Sequence, residues 1–202
     1  MGYLLPTEYV QYGLSADTTD NWIAFASSLI DAHCRRSSLA PTQYVERMRL
    51  TAGSQAARLS YAMDRSAVTL NSVRVRYGKP RRGEAHELRE MIATAFGVPG
   101  SWNNLDPGMI DVNPTTGELT FPSNFLGLDY NEVEITYTAG FAEIPPAVKT
   151  ACAQVVKNAQ AMPAASVKSS KMDTLQMEYF SASLIDPQVV TLLKPYIAQR
   201  IG

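Results

Sequence analysis

The stretch Glu132-Val133-Glu134-Ile135-Thr136-Tyr137-Thr138-Ala139-Gly140-Phe141, continued by Ala142-Glu143-Ile144-Pro145-Pro146-Ala147-Val148, carries the chain from a strand into a helix. Polar and apolar residues alternate from Glu132 to Tyr137, which predicts a strand with Val133, Ile135 and Tyr137 inward. Glu132 and Glu134 share the opposite face. Their spacing would suit a cation, but carboxylates in such positions far more often face solvent. Gly140 permits a sharp exit from the strand. Pro145 and Pro146 fit the first turn of a helix, where a missing N–H costs nothing. That helix would bury Val148, Ala151, Cys152, Val155 and Ala159 and end before Pro163.

Working outward, residues 6–12 read as a short helix stopped by Gly13. Asp17 is the expected N-cap of a long helix whose apolar face is broad: Trp22, Ile23, Phe25, Ala26, Leu29, Ile30 and Cys34. Its end is expected near Arg36, where two arginines suit the negative end of the helix dipole. The pattern then changes to strand. Tyr44, Met48 and Leu50 alternate with Arg47 and Arg49; residues 57–61 make a second short strand; Val73-Arg74-Val75-Arg76-Tyr77 alternates cleanly, with Tyr77 on the core side. Helical spacing returns over residues 84–96, with Gly97 at its end. Residues 109–112 and 118–121 flank the turn-rich Asn113–Gly117 and form a hairpin. Beyond Pro163 comes a small, polar linker. A strand carrying Leu175, Met177 and Tyr179 follows, then a helix opened by Asp186-Pro187 and kinked or shortened at Pro195. The predicted fold is α+β: helices flanking a small antiparallel sheet, with an inserted helix and a C-terminal strand–helix extension. The expected division is a core of residues 1–162, with an insertion at about 79–107, and an extension of residues 163–202.

With 202 residues, 46% of them hydrophobic, the chain has enough material for a real core. A net charge of −1 argues against a protein whose main task is gripping nucleic acid, so any DNA contact should be local or transient. Cys34 and Cys152, the only two cysteines, sit among apolar neighbours in helical segments and read as reduced, buried thiols. No run of about 18 apolar residues predicts a membrane span, and no signal peptide is expected.

Catalytic patterns are thin. His33 and Cys34 are adjacent on a helix and so point about 100° apart. His86 has Glu90 where a zinc-protease pattern needs its second histidine. No phosphate-binding glycine loop or nucleophile elbow is present. The expectation is therefore no catalytic residue, no cofactor and no metal, with a small cytosolic hydrolase using Cys34 or His86 as the remaining enzymatic reading. One charge feature stands out: Arg74, Arg76, Lys79, Arg81 and Arg82 place five cations in nine residues without an acid. Such a cluster suits phosphates or an acidic partner, and a DNA-binding accessory protein using it is a second functional reading. A solvated strand face is the plainer account.

The segment from Glu132 to Gln154 resembles the head–tail connector (neck adaptor) family of tailed phages, through Tyr137, Thr138, Ala139, Gly140, Phe141, Pro145, Pro146, Lys149, Ala151 and Ala153. Tyr3-Leu4-Leu5, Leu14, the helix ending Cys34-Arg35-Arg36, Tyr44-Val45-Glu46-Arg47, Asp111–Leu119 and Leu192-Leu193-Lys194-Pro195-Tyr196 are similar to other parts of that pattern, in order along the chain. The segment from Arg81 to Leu105 departs from it. The resemblance implies a non-enzymatic structural subunit, found in the virion neck and in the host cytoplasm during assembly. It implies a twelve-fold homo-oligomeric ring docked on the portal protein, which supports the next neck or tail-completion protein and lets double-stranded DNA pass, without a membrane. The tail is the expected docking element. Leu175, Met177, Leu184, Ile185, Leu193, Tyr196 and Ile197 supply its apolar side, and Lys168, Lys171 and Arg200 its charges.

Overall fold

The alternating stretch around Ile135 becomes the second strand of a four-stranded sheet in the computed structural model. The structure describes residues 2–50, 55–62, 67–77, 101–113, 116–123, 130–161, 169–172, 175–178 and 184–198, the strands 169–172 and 175–178 by backbone alone. In chain order the elements are α1 (Asp20–Cys34), β1 (Thr42–Arg49), β2 (Ala56–Arg58), β3 (Ala67–Arg76), β4 (Asn103–Leu105), β5 (Asp111–Asn113), β6 (Glu118–Thr120), β7 (Glu132–Gly140), α2 (Pro146–Ala161), β8 (Ser169–Met172), β9 (Leu175–Glu178) and α3 (Pro187–Leu193). Single 3-10 turns lie at Pro6–Glu8, Pro107–Met109 and Lys194–Tyr196. The fold is mixed α+β, with β structure dominating. The predicted helix at residues 84–96 falls outside the described residues.

Two compact units are present: residues 1–39 with 143–198, and residues 40–142 with 199–202. The units are thus divided otherwise than at residue 163. The reason is that the described end of the tail packs within the first unit.

In the second unit, β1, β7, β3 and β4 pair antiparallel in that order, and β2, β6 and β5 form a smaller antiparallel sheet. Residues of both sheets share one core. Tyr44, Val73, Val75, Val133, Ile135, Tyr137 and Ala139 come from the larger sheet, and Leu119, Phe121, Leu59 and Ile110 from the smaller sheet and its connections. Burying each such Val, Leu or Ile side chain is worth about 1.5–3 kcal/mol. The predicted hairpin is present as β5–β6. Inside the core edge, Tyr44 stacks on Tyr61 with ring centroids 4.2 Å apart. The Tyr137 hydroxyl donates to the Glu46 carboxylate, which also accepts from Ser60 Oγ at 2.8 Å. Burial pushes the Tyr137 hydroxyl well above its ordinary pKa, and the hydrogen bond to Glu46 adds to this. Gly140 ends β7 at φ 144°, and a Cβ there would lie 2.7 Å from Pro41 N, so the predicted sharp exit needs glycine both for its torsion and for its clearance.

In the first unit, α1 packs on α2 and α2 on α3. The N-cap of α1 is Thr19, not Asp17, and its side chain makes no capping bond; Asp20 in the first turn instead accepts from the Tyr9 hydroxyl at 2.7 Å. The broad apolar face of α1 is really two stripes. Ile23, Ala26, Ile30 and Cys34 are buried, whereas Trp22 and Phe25 are exposed and meet edge to face. The helix stops where Arg35 turns left-handed at φ 55° and Arg36 N bonds to Asp31 O, a Schellman-like end. The Tyr3 hydroxyl donates to Asp31 and accepts from Leu39 N at 2.8 Å, which ties the N-terminal segment to both ends of the α1 exit. Lys149 on α2 pairs with Glu8 at 2.5 Å. Asp186 caps α3 through Val189 N at 2.8 Å and accepts from Asn158 of α2, while Val189 and Leu193 are fully buried. At Lys194 the helix tightens into the 3-10 turn containing Pro195, where an α-helical bond to that residue's missing N–H would be lost. The chain then returns to α1: Arg36 Nε donates to Tyr196 O at 2.8 Å, and Ala198 N donates to Cys34 O at 2.9 Å.

Candidate functional site: an arginine-rich sheet face

Strand alternation sends Val133, Ile135 and Tyr137 into the core, so Glu132 and Glu134 must lie on the other face of β7. The register sets their neighbours. Arg47 of β1 and Arg74 of β3 flank Glu134; Arg49 and Arg76 flank Glu132. Two Arg–Glu–Arg rows therefore run across three strands. Further along the same face the rows continue as Val45–Thr136–Ser72 and Gln43–Thr138–Thr69, with Asn71 inserted at a bulge in β3.

Glu132 is the hub. It is buried, with 8% of its side chain exposed, and it meets Arg47 Nη2 at 2.8 Å, Arg49 Nη2 at 3.0 Å and Arg76 Nε at 2.7 Å. Burial alone would raise its pKa; the hydrogen bonds from Arg47, Arg76 and Arg49 outweigh that and bring it down to about 2. Arg74 pairs with Glu134, its Nε at 3.1 Å. Trp102, just before β4, covers the group from above. Its ring centroid lies 4.5 Å from the Arg76 guanidinium, 5.1 Å from that of Arg47 and 5.8 Å from that of Arg74. Each is within cation–π reach. The six charged residues sum to two positive charges, and the outermost cations, Arg47 and Arg74, keep about half of their side chains exposed.

Of the basic cluster expected from the sequence, Arg74 and Arg76 lie on this face, joined there by Arg47 and Arg49 from another strand. Lys79, Arg81 and Arg82 fall outside the described residues. Glu132 is not the solvent-facing carboxylate expected: three guanidinia cover it. The signal for this site was in the sequence as two arginine-bearing strands and one glutamate-bearing strand. What alternation could not supply was that β7 runs between the other two. Trp102 carried no signal, because its position depends on the pairing of β4 with β3.

The tail residues divide. Leu193 is fully buried in the first unit, and Leu184, Ile185, Tyr196 and Ile197 are half-buried there. Lys171, Leu175 and Met177 lie on the β8–β9 pair, where Lys171 opposes Gln176 and Met172 opposes Leu175. Lys168 and Arg200 fall outside the described residues, as does His86. Burial pushes the Cys34 thiol up to about 12 and the Cys152 thiol up to about 11, so at neutral pH both are held as poor nucleophiles. Among the described residues no group of three or more His, Cys, Asp or Glu is placed to hold a metal ion, and no helix is long and apolar enough to cross a membrane. Compared with protein-family models and with curated proteins, the chain matches none.

Proposed function

We propose that this chain is a structural head–tail connector subunit of a tailed phage, acting in the virion neck. It forms a homo-oligomeric ring that docks on the portal protein, continues the DNA channel and supports the next neck or tail-completion protein. The observation that carries this reading is the passage of residues 132–154. The family-like Tyr137–Pro146 stretch makes the end of a central strand, an exit only glycine can make, and a proline-started helix, α2. In this reading the helices flank the sheet within each subunit, and the work is assembly without turnover.

A ring closes through head-to-tail contacts between two different patches. The exposed Trp22–Phe25 pair on α1 offers an apolar anchor for one of them, since large aromatics carry much of the energy of such interfaces. In this reading the segment between α2 and α3, with Lys168, Lys171, Leu175 and Met177, meets the portal. The test is native mass measurement and negative-stain imaging of the protein, alone and mixed with the portal protein of the same phage. A twelve-fold ring seated on the portal is the expected result, and Trp22→Ser with Phe25→Ser should leave folded monomers. A wild-type protein that stays monomeric and ignores the portal would overturn the proposal.

A further inference from the structure

We infer that the outer face of the four-stranded sheet is a surface for the phosphate backbone of nucleic acid, on which Arg47 and Arg74 make the contacts and Glu134 limits the grip. The inference concerns a single unit of the fold and stands whether or not the chain is a connector subunit.

The face is built for anions. Four arginines against two carboxylates leave it positive, although the whole chain carries a net charge of −1. Guanidinium forks match phosphate oxygens in pairs. Here Arg47 and Arg76 are held from beneath by Glu132 and from above by Trp102, and Arg74 by Glu134 and the same ring, so little side-chain freedom is lost when an anion arrives. Glu132 stays ionised through the physiological range, so the clamp does not loosen with ordinary changes of pH.

The neighbours of the arginines decide between a nucleic acid and an acidic protein. Thr69, Asn71, Ser72, Thr136, Thr138 and Gln43 continue the surface with hydroxyls and amides, which are the groups that contact phosphates and sugars. Val45 is the one large apolar side chain within these rows, and the other apolar group on the face, Trp102, is taken up by the guanidinia of Arg47, Arg74 and Arg76. A protein interface would need an apolar centre, whereas nucleic-acid interfaces are polar and positive. Successive outward residues on a strand are separated by about 7 Å, twice the rise per residue. Arg74–Arg76 and Arg47–Arg49 therefore form two parallel lines of charge along which a phosphate chain can lie.

Glu134 gives the surface its distinctive behaviour. It occupies Arg74, which would otherwise face a phosphate unopposed. Removing its charge should strengthen binding, a result that loss of folding cannot imitate.

The experiment is fluorescence anisotropy of a labelled duplex of random sequence with the full chain, at several salt concentrations. Binding should weaken with salt. Arg47→Ala with Arg74→Ala should weaken it about tenfold at low salt and reduce the salt slope by about two. Glu134→Gln should tighten it about threefold and steepen the slope by about one. Three results would each overturn the inference: no binding at low salt, binding lost only in a Lys79→Ala, Arg81→Ala, Arg82→Ala variant while the Arg47 and Arg74 changes are silent, or displacement by poly-glutamate as readily as by unlabelled duplex. The last would assign the face to an acidic protein.

Discussion

Glu132 shows how a residue's neighbours reverse its expected character. By alternation it belongs on the solvent side of β7, and it does lie there, yet three guanidinia close over it. Its folded pKa, about 2, lies below the value near 4.3 of an unfolded glutamate, so the unfolded chain binds the proton more readily. The stabilisation is fully present above about pH 5 and is lost as pH falls through 4 toward 2. At pH 7, Glu132→Gln should lower unfolding free energy by about 3 kcal/mol. The gap between the two proteins should close as the pH approaches 2. Urea unfolding followed by tryptophan emission across a pH series measures both; a gap that stays constant with pH would mean that the charge is not its source. At this scale the face of each charged residue is legible in the sequence, because side-chain direction is local. The partners are not, because these depend on which strands lie side by side.

Elements were the most legible level. The β5–β6 hairpin, the start of α2 at its prolines and the Asp186-Pro187 opening of α3 follow from turn and cap chemistry confined to a few residues. The start of α1 lies two residues beyond the expected cap Asp17: Thr19 holds the N-cap position without a side-chain bond, and Asp20 in the first turn accepts from the Tyr9 hydroxyl. Two substitutions test the element boundaries. Gly140→Ala must place a Cβ against the backbone at Ala40 and Pro41 in a torsion L-residues avoid, and should cost about 2–4 kcal/mol. Asp186→Ala removes the acceptor for Val189 N and a contact to Asn158, and should cost about 1–2 kcal/mol. Thermal unfolding of both variants checks the order; an Asp186 change costing more than the Gly140 change would contradict this account.

For the whole molecule, composition and pattern specified α+β but not its division. The sequence suggests a break at the polar linker after Pro163. The described structure instead returns residues 184–198 to α1 and α2, because Val189 and Leu193 need a core and Asn158, Arg36 and Cys34 provide the polar attachments. Truncation after Pro163 should therefore do more than remove a docking tail. It uncovers the side of α2 that meets α3, and should lower the melting temperature of the first unit by several degrees, at about 4–8 °C per kcal/mol lost for a unit of this size. An unchanged melting temperature would show the tail to be energetically separate. The return of the chain to α1 also has a bearing on synthesis. Residues 40–142 leave the ribosome with the greater part of their own core already in hand. Residues 1–39 emerge before them but must wait for α2 before α1 can cover its buried stripe. The segment made before residues 40–142 is thus completed after them, and until then Ile23, Ala26 and Ile30 have no core to enter.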